Sequence, residues 1–149
     1  MRLSGQKAFV LVLALTMGCH DTTAPPAQSA RVYVLESVNG QPVPVFLGGS
    51  TTVVWATLTL DVAGNAITVD HNRSVFQNTS SENTYSVRRE YRVRGDSIEI
   101  GAFKPCPPGA LCIANTLGVI ADSTVALTIG YNPYPTNPIV YLYRLVQSY

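Results

Sequence analysis

One histidine, one arginine and three tyrosines are the side chains of this 149-residue sequence best suited to binding a small molecule. They are His71, Arg89, Tyr91, Tyr141 and Tyr143. A guanidinium holds a carboxylate or phosphate through two parallel hydrogen bonds, and a tyrosine combines an apolar ring with a polar hydroxyl. Brought together, they predict a site for a small amphipathic or anionic ligand. In the alternative interpretation Arg89 is paired near solvent, His71 ends a strand and the tyrosines only fill space.

The sequence lacks the common patterns of catalysis. It contains no glycine-rich phosphate loop, no serine nucleophile elbow and no cluster with metal-ligand spacing. Covalent catalysis needs a nucleophile beside a base, and the imidazoles are limited to His20 and His71. We therefore expect neither an enzyme nor a bound metal or cofactor.

The elements that must position these residues are β-strands. From Arg31 onward the chain alternates apolar and polar residues, is rich in Val, Ile, Thr and Tyr, and is interrupted by Gly, Pro, Asn and Asp. No segment shows a helical period. Eight strands are predicted, over residues 31–38, 51–62, 66–71, 84–94, 97–103, 116–120, 124–131 and 139–147.

The segment YRVRGDSIEI contains a tripeptide that adhesion receptors recognise, but hairpin chemistry accounts for it. A type II′ turn at Gly95-Asp96 prefers glycine first. Residues 91 and 93 then pair with 100 and 98 on an apolar face, and Arg92 lies opposite Glu99. This register predicts that Arg89, like Val87 and Tyr91, points into the domain.

Two more tight turns are expected. A turn at Gly64-Asn65 would pair Leu60 with Val69, and a turn at residues 121–123 would pair Val119 with Val125 and Leu117 with Leu127. The first register places His71 on the inward face after Ile67 and Val69. On the last strand Tyr141 and Tyr143 share a face, with Arg144 on the other.

The alternation of turn lengths predicts the architecture. The three tight turns fall at one end of an up-and-down meander, and the longer connections 39–50, 72–83, 104–115 and 132–138 fall at the other. Closure removes exposed sheet edges, so we expect an all-β, eight-stranded antiparallel, lipocalin-like barrel. The alternative is a two-sheet β-sandwich built from the same hairpins. The candidate ligand site would lie at the loop-rich mouth, in a barrel that is either hollow or filled.

The N-terminus indicates export. Residues 1–19 carry Arg2 and Lys7, then an apolar run and the sequence LTMGC, which resembles the lipobox of bacterial lipoproteins. The resemblance implies lipidation of Cys19 and a place in the bacterial cell envelope. His20 after the cysteine, by resemblance to enterobacterial sorting, favours the outer membrane over retention in the inner membrane. An ordinary secretory signal is the alternative. Residues 20–30 are predicted to be a flexible tether, and residues 31–149 a single domain.

The remaining two cysteines, Cys106 and Cys112, are close in sequence and separated by a proline-glycine bend. In an oxidising compartment they are expected to form a disulfide, with a redox or metal pair as the alternative. Without Arg2 and Lys7 the ten basic residues become eight against nine acidic ones, a net charge of −1. This balance gives no indication of nucleic-acid binding.

The segments YVLESVNGQPVPV, GDSIEI and VYLYRLV together resemble small bacterial lipoproteins with a lipocalin-like β-barrel domain, most of unknown function. The resemblance implies a fold and a location, and no activity. We therefore expect one function and keep a second as its alternative. The first is ligand binding by a monomer anchored to the membrane, on the periplasmic or surface face of the outer membrane. The second is an interaction or structural role with another envelope protein, as an inhibitor or chaperone partner, through the long loops of a filled barrel.

Overall fold

A computed structural model describes residues 29–105, 108–109, 114–129 and 138–149 of the chain. These ranges contain strands and turns, and none of their residues forms a helix long and apolar enough to cross a membrane. The strands are β1 (Arg31–Val38), β2 (Gln41–Pro42), β3 (Val45–Gly48), β4 (Thr51–Leu60), β5 (Asn65–Phe76), β6 (Thr79–Arg94), β7 (Ser97–Gly101), β8 (Thr116–Ile120), β9 (Thr124–Ile129) and β10 (Ile139–Ser148). All eight expected strands are present, and β2 and β3 are additional.

Eight of these strands close into a ring. Each of β4 to β9 is antiparallel to the next strand along the chain, and β1 pairs with both β10 and β4. The expected antiparallel up-and-down barrel is confirmed, and the sandwich alternative is excluded. Strands β2 and β3 lie outside the ring, beside β1 and β4 respectively. Closure pairs the edges that an open eight-stranded sheet would expose.

The three tight turns meet at one end of the barrel, as expected. The N–H of Tyr91 donates to the carbonyl of Gly64, and the N–H of Ile120 donates to the carbonyl of Asp96, at 2.9 and 2.7 Å. We call this the closed end, because a packed core fills the adjoining half of the barrel. That core includes Tyr33, Leu35, Leu58, Leu60, Tyr91, Ile98, Val125 and Tyr143.

The hairpin between β6 and β7 has the predicted register. Its turn is at Gly95-Asp96, and the predicted pairs across it are Val93 with Ile98, Tyr91 with Ile100 and Arg92 with Glu99. Ile98 and Ile100 are buried, whereas Arg92 is exposed and its guanidinium lies 3.8 Å from the ring centroid of Phe103. The alternation of side chains therefore places Arg89 on the inward face.

The predicted register between β4 and β5 is wrong. Leu60 pairs with Ala66, not with Val69. The carboxylate of Asp61 explains the difference, because its Oδ1 accepts hydrogen bonds from the N–H groups of Ala63 and Asn65, at 2.9 and 2.7 Å. An aspartate that caps its own turn in this way fixes a longer turn over residues 61–64. The pairing moves by an odd number of residues, which exchanges the two faces of β5.

The predicted register between β8 and β9 is also wrong, by one residue. Val125 pairs with Ile120 instead of Val119, and Leu127 pairs with Gly118 instead of Leu117. The N–H of Ala121 donates to the carbonyl of Thr124 at 2.8 Å, so the turn is shortened to residues 122–123 and contains one residue fewer than expected. Leu117 and Val119 consequently lie on the outer face and are exposed.

The expected loop at residues 72–83 is instead a continuation of β5 and β6. Both strands extend to a two-residue turn at Gln77-Asn78, where φ is 46° and 62°. Two positive φ values are the geometry of a type I′ hairpin turn. We call residues 72–83 the β5–β6 arm. The prediction that four loops form the mouth is therefore wrong for this connection, and β2 and β3 occupy part of the connection 39–50.

Candidate functional site

A cavity of about 270 Å³ occupies the half of the barrel away from the closed end. We call it the barrel cavity. The described residues that line it are Ala66, Thr68, Asp70, Asn72, Val87, Arg89, Ile100, Thr116, Leu127, Ile129, Tyr141 and Tyr143. They come from β5 to β10, since alternate side chains of each strand point inward. The closed end of the barrel is thus filled. The other end is hollow beside β5 to β10 but packed beside β1, β3 and β4, where Val38, Val45 and Val53 are buried.

Arg89 lines the barrel cavity from β6, on the inward face that the sequence predicted. It lies directly opposite Ala66 of β5 and is half-buried. Among the described residues Arg89 has no ion-pair partner, and none of them forms a hydrogen bond with its guanidinium. A planar group with five N–H donors is therefore available to an anion inside the cavity.

Tyr141 and Tyr143 also line the cavity, as predicted. They lie on the inward face of β10, and their rings meet edge to face with centroids 6.3 Å apart. Burial, assisted by the nearby carboxyl of Asp70, raises the pKa of both phenols above the usual value. Both hydroxyl groups therefore stay protonated and can donate hydrogen bonds to a ligand.

Asp70 and Asn72 also line the cavity, although neither was among the predicted ligand-binding residues. Burial raises the pKa of Asp70 above its usual value. The Oδ1 atom of Asn72 is buried and accepts no hydrogen bond from the residues described. The sequence did contain information about their position. Asp61 can cap its own turn, and this turn fixes the register of β5 that places Asp70 and Asn72 on the inward face.

Tyr91 faces inward but lies below the cavity. It is 8% exposed, and its hydroxyl donates a hydrogen bond of 3.0 Å to the carbonyl of Asp61. It therefore packs in the core at the closed end and links β6 to the turn after β4. Tyr91 is therefore not among the described residues that line the barrel cavity.

The predicted inward position of His71 is wrong. The residue lies on the outer face of β5, where its ring stacks on Trp55 at 5.3 Å between centroids and 7° between planes. Its Nδ1 is 2.8 Å from Thr84 Oγ1, and its Nε2 is 3.2 Å from Glu82 Oε2. Arg73 also pairs with Glu82, at 2.8 Å. His71 thus belongs to an outer cluster that joins β4, β5 and β6.

The side chains that line the cavity could bind a ligand through charge and hydrogen bonds.

Among the described residues no three His, Cys, Asp or Glu side chains lie close enough together to hold a metal ion. The candidate lipidation residue Cys19 and the candidate disulfide pair Cys106 and Cys112 lie outside the described residues. Connection 132–138 does so as well.

Comparison of the chain with protein-family models, curated proteins and solved structures found no match. The geometry of the barrel and the sequence are therefore the observations that bear on function.

Proposed function

We propose that this protein is a membrane-anchored lipoprotein of the bacterial cell envelope that binds a small amphipathic or anionic ligand in its barrel cavity. The observation that carries the proposal is Arg89, a half-buried cation that lines the cavity and forms no ion pair with a described residue. Removing a charge from water is costly unless an opposite charge replaces the lost hydration. An anionic ligand would supply that charge.

The rest of the cavity suits the remainder of such a ligand. Ile100, Leu127 and Ile129 supply apolar surface, and the phenols of Tyr141 and Tyr143 supply hydrogen-bond donors. Ligand sites are commonly concave, mainly apolar and furnished with a few polar groups that orient the ligand. A short-chain carboxylate has the corresponding combination of groups.

The proposed anchor is a lipid on Cys19 after removal of the signal sequence, with residues 20–30 as tether. The carbonyl of Ala30 accepts a hydrogen bond of 2.9 Å from the N–H of Tyr149, and Arg31 pairs with Leu60 at the closed end. A tether preceding β1 would leave from this end. We therefore propose that the cavity faces away from the membrane, and that a Cys106–Cys112 disulfide pins the connection between β7 and β8.

Octanoate binding by Arg89→Ala tests the ligand proposal. Titration calorimetry is expected to show binding to the unmodified chain and an affinity lower by at least about tenfold in the variant, because a hydrogen bond to a charged group contributes roughly 1.5–3 kcal/mol. Arg88→Ala is the matched control. Arg88 is the neighbouring residue of β6, pairs with Ile67 on the outer face and is exposed. Equal affinities of the three proteins would refute the role of Arg89.

The β5–β6 arm favours a second function, the binding of another envelope protein. Near its tip Val75 and Phe76 are 50% and 70% exposed. Exposed aromatic residues are frequent anchors of protein interfaces. Cross-linking in intact cells would detect such a partner. Loss of the cross-linked product in Phe76→Ser, and its retention in Arg89→Ala, would support the interaction, whereas an unchanged product in Phe76→Ser would contradict it.

A further inference from the structure

The barrel cavity contains two opposite charges that are too far apart to neutralise each other. Arg89 of β6 lies opposite Ala66 of β5, and Asp70 is four residues further along β5 on the same face. Four residues of a strand span about 13 Å. Neither side chain forms an ion pair with another described residue. The cavity thus has a cationic region and a separate acidic region.

The acidic region carries the features of a site for a cation. Asp70 lines the cavity together with Asn72, two residues further along β5, whose buried Oδ1 lacks a donor among the described residues. Tyr141 and Tyr143 line the same cavity from β10. A carboxylate, an amide oxygen and aromatic rings are the groups that bind an ammonium, through charge, hydrogen bonds and cation–π attraction.

The pKa directions agree with this arrangement. Burial raises the pKa of Asp70, since its carboxylate has lost water without gaining a cation. The charge of Asp70 adds to the effect of burial on the pKa of Tyr141 and Tyr143, so the three groups lie close enough to interact. A bound ammonium would stabilise the ionised carboxylate of Asp70 and so lower its pKa.

We propose that the barrel cavity binds a small zwitterion, whose anionic group pairs with Arg89 and whose ammonium group contacts Asp70, Asn72 and the two tyrosines. This inference rests on the proposed function and narrows its ligand from an anion to a molecule that carries both charges. An anion without an ammonium leaves Asp70 unpaired, and an amine without an anion leaves Arg89 unpaired.

The dimensions of the cavity limit the ligand. Its volume of about 270 Å³ equals the liquid volume of roughly nine water molecules. The side chains of Arg89 and Asp70 extend toward the ligand, so its charges must lie closer together than the strand separation of about 13 Å. A linear ω-amino acid with a five-carbon spacer fulfils both conditions, and 6-aminohexanoate is a suitable probe.

Titrations followed by NMR compare three probes of similar length on the full chain: 6-aminohexanoate, hexanoate and hexylamine. The zwitterion is expected to bind at least about tenfold more tightly than either singly charged probe, because it forms one additional charge-assisted contact. Asp70→Asn should weaken binding of 6-aminohexanoate and hexylamine by about tenfold and leave hexanoate unaffected or improved. Asp96→Asn, at the closed end, is the matched control and should leave all three affinities unchanged.

The outcomes separate this inference from the proposed function. If hexanoate binds as tightly as 6-aminohexanoate, and Asp70→Asn changes neither affinity, the zwitterion is refuted while an anionic ligand at Arg89 remains supported. If hexylamine binds as tightly as 6-aminohexanoate and Arg89→Ala has no effect, both proposals are refuted. Binding of none of the three probes to the unmodified chain also contradicts both.

Discussion

Filling the barrel cavity with an apolar side chain should stabilise the protein and reduce ligand binding. Thr68 lines the cavity from β5 and lies between Leu58 of β4 and Val87 of β6. In Thr68→Ile an ethyl group replaces the hydroxyl, so that one carbon takes the place of the oxygen and a second carbon enters space that is otherwise empty. Isoleucine also favours the extended backbone that threonine adopts here, so the strand should tolerate the change.

The magnitude follows from the atoms added. Each buried methylene contributes about 0.8 kcal/mol, so two contribute about 1.6 kcal/mol. Ordering the longer side chain opposes this by about 0.5–1 kcal/mol. The expected net gain is about 1 kcal/mol, which corresponds to an increase in Tm of about 2–8 °C for domains in this size range. The same atoms should lower the affinity for octanoate.

Urea unfolding and differential scanning calorimetry measure the change, and Thr57→Ile is the matched control. Thr57 precedes Leu58 on β4 and pairs with Val69 on the outer face of the barrel. The control adds the same atoms without filling the cavity, so its stability should change by less than about 0.5 kcal/mol. If Thr68→Ile were destabilised by 1 kcal/mol or more, about the cost of overpacking, the space would not exist and the reasoning would be wrong.

Three further substitutions give distinct results. Gly118→Ala should destabilise by about 1–3 kcal/mol in urea unfolding, because a Cβ there would overlap the backbone carbonyl of Ala126. Tyr33→Phe should leave stability unchanged or raise it by up to about 1 kcal/mol, since the buried hydroxyl lacks a hydrogen-bond partner among the described residues. At about pH 3, roughly one unit below the usual aspartate pKa, Asp70→Asn should have the same stability as the unmodified protein. As the pH rises through the raised pKa of Asp70, the variant should become the more stable of the two.

The sign of the last prediction follows from linkage. A carboxyl whose folded-state pKa is raised binds its proton more tightly in the folded protein, so folding is favoured at low pH and loses that advantage as the pH rises through the raised value. Asparagine does not titrate. Equal pH profiles for the two proteins would contradict the burial of an unpaired Asp70.

For Gly118→Ala the control is Val119→Ala on the exposed outer face. Equal losses of stability in the two variants would contradict the proposed overlap.

The sequence predicted the strands and the closure well because turns and alternation carry that information locally. Glycine at position 95 selects a turn that fixes the pairing of β6 with β7, and the inward position of Arg89 follows from this register. The placement of Tyr141 and Tyr143 on one face needed only the alternation of a single strand. These predictions required no knowledge of contacts distant in the chain.

The wall formed by β5 could not be predicted from apolar alternation. Ile67 and Val69 face outward, whereas Thr68 and Asp70 face inward, because the strand borders a cavity at this point instead of a packed core. A pattern rule that places apolar residues inside therefore selects the wrong face. The side chain of Asp61 determines the register. Its hydrogen bonds to backbone N–H groups favour the turn over residues 61–64 instead of the expected turn at Gly64-Asn65, and the alternation of apolar residues carries no information about them.

The β5–β6 arm was missed for a related reason. Its turn at Gln77-Asn78 needs positive φ at both positions, and glutamine is not a residue that signals this conformation. The flanking residues are mostly polar, since the arm projects beyond the packed half of the barrel. A polar segment without glycine or proline was therefore interpreted as a loop.

Native mass spectrometry of the protein purified from the organism that makes it tests the central claim most directly. The account predicts a reproducible additional mass that is released on unfolding, and that decreases or disappears in Arg89→Ala and Thr68→Ile but remains in Arg88→Ala. Fragmentation of the released molecule should show a small compound with both an anionic and an amine group. The same additional mass in all four proteins would contradict binding in the barrel cavity.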